Sequence, residues 1–171
     1  MKKIFLVAAI ALMGATTVNA QSGNFKVGAH IGLPVSDLIT TYTFNTGVDV
    51  SYTLNVSEHF NLGITTGYSY YFGKTIKISN TPFLEVPDLG IIPIAATGEY
   101  LFPSKIYLST DLGYAFFTNT GANAYSGAFY YQPKIGYKFG ASEGYVGYKR
   151  MSKDGGALSS INLGYAFTIG K

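Results

Sequence analysis

From about residue 24 onward the sequence alternates, with large apolar side chains at every second position and small or polar ones between. A period of two is the mark of β-strands, whose successive side chains point to opposite faces. The stretch LGYAF, at 112–116 and again at 163–167, shows it in miniature. Leu, Tyr and Phe fall on one face, Gly and Ala on the other. No stretch after Gln21 carries a helical period. The pattern predicts eight strands, over 24–33, 44–55, 60–72, 90–102, 105–117, 127–139, 144–152 and 157–169.

Sorting the faces gives one apolar and one polar set. The apolar set holds Phe25, Val27, Ala29, Ile31 and Leu33; Phe44, Val48, Val50, Tyr52 and Leu54; Phe60, Leu62, Ile64, Tyr68, Tyr70 and Phe72; Ile106, Leu108, Leu112, Tyr114 and Phe116; and Ile161, Leu163, Tyr165, Phe167 and Ile169. None is charged. The other set holds Lys26, His30, Asp49, Glu99, Asp111, Lys134, Lys138 and Lys149, together with Gly28, Gly47, Gly63, Gly113, Gly136, Gly147 and Gly164. Charge and glycine therefore share a face. Glycine belongs where a narrow barrel crowds its inner wall, so the charged face is assigned to the lumen and the apolar face to lipid. Aromatics gather near strand ends: Phe44, Tyr70, Phe72, Phe116 and Phe129 at one rim, and Phe25, Phe60, Phe102, Phe139 and Phe167 at the other. Such paired girdles fit two membrane interfaces.

The fold class expected is all-β, an eight-stranded antiparallel up-and-down transmembrane β-barrel. Connections near Ser57, Ser104 and Ser142 are short, and those at 34–43, 73–89, 118–126 and 153–156 are mostly longer. That is the asymmetry of periplasmic turns and outer loops. Two details depart from the pattern. Gly98 falls on the outward face, where a bulge would restore the alternation. Pro133 sits mid-strand with no N–H to give, so a local irregularity is expected there.

Composition agrees with a small wet surface. Charged residues make up 12% of the chain against a typical ~25%. Aromatics reach 16%, with 15 Tyr and 12 Phe. Residues 1–20 read as a cleavable signal peptide: Lys2 and Lys3, an apolar run from Ile4 to Met13, and small residues at Val18-Asn19-Ala20. The run is shorter than the ~20 residues of a membrane helix. Residues 21–171 form the barrel domain. Removing Lys2 and Lys3 leaves ten basic residues (12 less two) against nine acidic ones, so no basic patch for nucleic acid is expected. The chain has no cysteine, which excludes disulfides, thiolate metal sites and a lipidated cysteine anchor.

The last strand reads NLGYAFTI. It resembles the outer-membrane assembly signal, with Asn162, Gly164, Phe167 and Ile169 in its places. Gly170 and Lys171 follow, where many barrels stop on an aromatic. With the eight strands, this makes residues 21–171 similar to the small outer membrane protein β-barrel domain family of Gram-negative bacteria, of the eight-stranded outer-membrane-protein X type. The resemblance implies insertion into the outer membrane by the barrel-assembly machinery. It implies no single activity, since members include adhesion or serum-resistance factors, passive stabilisers and a few lipid-modifying enzymes.

Candidate chemistry is sparse. The inward charges read either as a polar pathway or as a paired lattice filling the lumen, and the lattice is favoured. Buried charges are costly unless paired, and eight strands enclose little more than their own side chains. His30 is assigned to that lattice. His59 follows Ser57 and Glu58 in a turn, which is poor geometry for a triad. No G-x-S-x-G or H-E-x-x-H motif occurs. No catalytic, cofactor-binding or metal site is therefore expected. The connection from Gly73 to Gly90 is rather apolar and has two readings, an extended binding edge or a cap over the barrel mouth. The expected role is that of a closed, monomeric, non-enzymatic outer-membrane barrel with a structural or surface-interaction function. Its partners would be outer-membrane lipid and an unknown surface partner. The alternatives are a narrow solute channel, a lipid-modifying enzyme and a soluble lipocalin-like binder.

Overall fold

The computed structural model describes residues 23–35, 41–76, 84–118, 127–153 and 156–169. Residues 1–22, which include the expected signal peptide, and the tip of the longest connection lie outside them. The long strands are β1 (Gly23–Val35), β2 (Tyr42–Asn55), β3 (Phe60–Gly73), β6 (Leu89–Leu101), β7 (Ile106–Thr118), β8 (Ala128–Phe139), β9 (Ser142–Lys153) and β10 (Gly156–Ile169). Between β3 and β6 lie two short strands, β4 (Thr75–Ile76) and β5 (Leu84–Glu85).

The eight long strands close into one antiparallel barrel, each paired with its neighbours in the chain and β1 paired with β10. Closure leaves no free edge. All eight predicted strands are present, and the ends differ by no more than two residues. The face assignment also holds in the five strands sorted above. Leu112, Tyr114 and Phe116 point outward, as do Leu163, Tyr165 and Phe167, while Ala115 and Ala166 are buried in the lumen. Among the described residues the buried set is more polar than apolar, the reverse of a domain folded in water. Aromatic pairs mark both rims. Phe44 stacks on Phe72 at 4.4 Å at the long-connection end, and Tyr100 meets Phe102 edge-on at 4.9 Å at the short-turn end.

Two expectations need correction. Gly98 is not bulged: it sits in unbroken register between Leu62 and Thr110. It faces outward because Phe60 and Leu62 lean over the space, with atoms 3.8 and 3.7 Å from where a Cβ would be. The register shift that does occur lies in β2, between Tyr42 and Asn45. The connection from β9 to β10 is also short, since Lys153 pairs with Gly156.

At Pro133 the β8–β9 ladder is interrupted between the pairs Tyr131–Arg150 and Lys134–Gly147, yet the register is kept. Pro93 interrupts the β3–β6 ladder in the same way, and its carbonyl accepts from the Thr66 hydroxyl at 2.8 Å. Each proline removes one donor, and the neighbouring pairs hold the register.

The outward and inward glycines should respond oppositely to a methyl group. Gly98→Ala meets no crowding and should stabilise the barrel by about 0.5–1 kcal/mol, since glycine costs that much in a strand interior. Gly164→Ala would drive a Cβ into the Tyr145 ring and should cost about 1–3 kcal/mol. Urea unfolding of the vesicle-reconstituted variants checks both signs.

Candidate functional site

Among the described residues, chemistry-bearing side chains converge in the lumen, and they are layered there. Nearest the short turns, Lys26 Nζ donates to Glu99 Oε2 at 2.7 Å and to Glu143 Oε2 at 2.8 Å. Lys138 donates to Glu99 Oε1 at 2.5 Å, and Asn61 Nδ2 donates to the same oxygen at 2.8 Å. The Tyr107 hydroxyl donates to Glu143, and both ammonium groups lie over the Tyr107 ring at 5.7 and 5.4 Å. Next inward, Lys134 pairs with Asp111 at 2.7 Å, and the Thr97 hydroxyl donates to the other Asp111 oxygen.

The third layer holds Asp49, His30, Ser69 and Lys149. His30 Nδ1 lies 2.6 Å from Asp49 Oδ2, and Nε2 lies 3.1 Å from Ser69 Oγ. Lys149 Nζ is 2.8 Å from Ser69 Oγ and 3.1 Å from His30 Nε2. An ammonium can only donate, so Nε2 accepts and the ring proton sits on Nδ1, facing Asp49. The Tyr145 hydroxyl donates to that same carboxylate at 3.0 Å.

The strand register explains this meeting. His30 pairs with Gly47, and Gly47 pairs with Ser69. Glycine leaves an empty seat in the middle of the row, and the imidazole lies across it, 2.6 Å from where a Cβ would stand. Tyr145 likewise lies against Gly164, its ladder partner.

Beyond the third layer the lumen turns apolar. Tyr71, Ile91, Ala115, Ala128, Tyr130, Met151 and Leu158 form a buried cluster at the long-connection end. Among the described residues the lumen encloses a cavity of only about 40 Å³ beside Asp49, Asp111 and Glu99. A recess of about 360 Å³ opens at the short-turn end and stops at Lys26, Lys138 and Glu143.

All eight sequence-predicted lattice residues point into the lumen. Glu143 falls outside the expected strand 144–152, because β9 starts two residues earlier, at Ser142. Glu143 shares parity with Tyr145, Gly147 and Lys149, and that was the available signal. With it, four lysines (Lys26, Lys134, Lys138, Lys149) face four carboxylates (Asp49, Glu99, Asp111, Glu143). Ser69 and the apolar cluster were also missed. Of the residues that resemble the assembly signal in sequence, Asn162 and Gly164 face inward, and Phe167 and Ile169 face outward at the short-turn end. Among the described residues no group of His, Asp and Glu is disposed to hold a metal.

No protein-family model matches the chain, and no curated protein sequence does either. Solved structures do. The outer membrane protein Ail of Yersinia pestis in a phospholipid bilayer nanodisc superposes with a TM-score of 0.58 at 11% identity, covering 86% of this chain and 100% of Ail. The same protein bound to the heparin analogue sucrose octasulfate gives 0.55 at 12% identity, covering 86% and 97%. A de novo designed transmembrane β-barrel gives 0.52 at 14% identity, covering 85% and 95%. The chain has the fold of a small transmembrane β-barrel.

In a barrel of this fold the Asp49–His30–Ser69 row has the order of a hydrolase triad, but Lys149 sits on the serine and Ser69 is only 1% exposed. A fluorophosphonate probe should leave the folded, vesicle-bound protein unlabelled; covalent modification at Ser69 would contradict the lattice assignment. Lys26→Met would strand Glu143 in the lumen and should cost about 3–5 kcal/mol. Adding Glu143→Gln should recover most of that loss in a double-mutant cycle read by urea unfolding.

Proposed function

We propose that the chain is an integral outer-membrane barrel with a structural or surface-interaction role, acting through its lipid-facing belt and outer connections and not through transport or a reaction. The observation that carries this reading is the inverted distribution of polarity. Charged groups are paired in the lumen while Ile31, Leu33, Ile64, Leu112 and Leu163 stand outside, each at least half exposed. An apolar belt of that extent is costly against water and is what a bilayer requires of a closed barrel. The apolar cluster at one end and the ion layers behind it argue against a solute path.

On this reading residues 1–20 direct export and are cleaved, the long connections face outward, and the short turns face the periplasm. Outer-membrane lipid and the barrel-assembly machinery are the partners, with Asn162, Gly164, Phe167 and Ile169 as the assembly signal. A surface partner would meet the outer connections. The described base of the longest one projects as a short ladder, in which Thr75 pairs with Glu85. It is anchored by Asp88, which accepts from the Tyr70 hydroxyl at 2.7 Å and from the Gly73 N–H at 2.8 Å. These two donors hold the Asp88 carboxyl below the usual carboxylate range. Residues 77–83 of this connection lie outside the described residues, so the ladder supports an extended base and leaves the tip open.

The test is a gel comparison of isolated outer membranes with and without boiling, followed by planar-bilayer recording. The expected result is a heat-dependent shift in mobility and no conductance steps. Recovery in the osmotic-shock fluid with no shift would favour the lipocalin-like alternative, and discrete steps would favour the channel.

A further inference from the structure

Among the described residues, one charged side chain lies on the outward faces of the eight long strands, and it is Arg150 on β9. Its Nε donates to Ser152 Oγ at 3.2 Å and its Nη1 to the Tyr148 hydroxyl at 3.4 Å. Both acceptors are neutral, and no described carboxylate pairs with it. The guanidinium has five N–H donors in a planar fork that suits phosphate, so donors remain. It sits at the long-connection rim, with Tyr131 and Ser159 as its ladder partners.

Below it on the same wall runs a groove of about 390 Å³ between Ile31, Leu33, Val146, Ile161 and Leu163. The register joins the two. Ser159 pairs with Arg150, and Ile161, the next outward residue on β10, pairs with Tyr148 on one side and Leu33 on the other. The apolar slot therefore leads up to an arginine with no counter-ion. A charge facing hydrocarbon is costly at the midplane and nearly free at the interface, where a headgroup phosphate would complement it.

We infer that this wall holds an anionic phospholipid of the outer leaflet, with an acyl chain in the groove and Arg150 donating to the headgroup. The inference rests on the membrane reading above. It is tested by native mass spectrometry of the detergent-solubilised barrel offered equal phosphatidylglycerol and phosphatidylcholine. The wild type should retain the anionic lipid about five-fold more than the neutral one, the advantage of one arginine near a lipid surface. Arg150→Gln should remove that preference and Arg150→Lys should keep most of it. Val146→Phe, which fills the groove, should reduce retention of both lipids. Lys105→Gln, in an exposed turn at the opposite end, should change nothing. Equal retention by the wild type, or a preference untouched by Arg150→Gln, overturns the inference. If Arg150→Gln shows no heat-dependent shift, Val146→Phe decides, and unchanged retention overturns it. Flotation with vesicles of the same lipids separates the two readings: a protein that does not float sinks the membrane reading and this inference with it, whereas one that floats without preference sinks only this inference.

Discussion

Everything inside this barrel follows from lack of room. Eight strands enclose a lumen that is only wide enough for side chains, and not for a full-sized one at every inward position. The chain answers by leaving seats empty along the rows that circle the wall. His30 reaches Ser69 because Gly47 stands between them, and Tyr145 reaches Asp49 because Gly164 yields its place. The inward glycines are thus part of the ion lattice as much as of the curvature. Each defines where a longer neighbour lies down, and so which charges can meet.

Crowding also decides the electrostatics. With a cavity of about 40 Å³ beside Asp49 and Asp111, and an open recess that stops at Lys26, Lys138 and Glu143, bulk water solvates these eight groups poorly, so most of the demand falls on protein partners. Four lysines against four carboxylates bring the balance to zero, and hydroxyls from Thr97, Tyr107 and Tyr145 take up remaining lone pairs. A buried ion pair is poor evidence of net stability. It does make the register unforgiving, because a strand slipped by one residue would turn lysines and carboxylates toward the apolar exterior. The lattice therefore specifies the barrel more than it strengthens it.

Strands, faces and closure were legible because alternation is local: Leu112, Gly113, Tyr114 and Ala115 declare their sides without reference to any other strand. Which inward residues touch was not legible, since it depends on register. Ser69 lies 39 residues from His30 and finds it only through two ladders meeting at Gly47. Lys26 meets Glu143 only because the last strand pairs with the first. The apolar cluster at the long-connection end is hard to read for a different reason: Ile91, Met151 and Leu158 share the inward face with the charges, so the face is mixed along its length. Gly98 shows that parity does not require a large side chain at every outward position. A neighbour on the next strand can cover the gap instead, as Leu62 does.

The Asp49–His30–Ser69 row shows how packing alone can reproduce a catalytic arrangement. In a crowded lumen, a buried imidazole must give its proton to an acceptor and find a donor for its bare nitrogen. A carboxylate on one side and a hydroxyl on the other satisfy both demands, and those are also the partners that a triad histidine has. The difference lies in what surrounds the serine. A nucleophile needs space for an acyl group and donors aimed at a developing oxyanion, whereas Ser69 Oγ meets the Lys149 ammonium at 2.8 Å within a closed wall. That ammonium draws on the same oxygen lone pairs an attack would use. The geometry of the three residues is therefore accounted for by their hydrogen bonds to one another and to Lys149, with no appeal to catalysis.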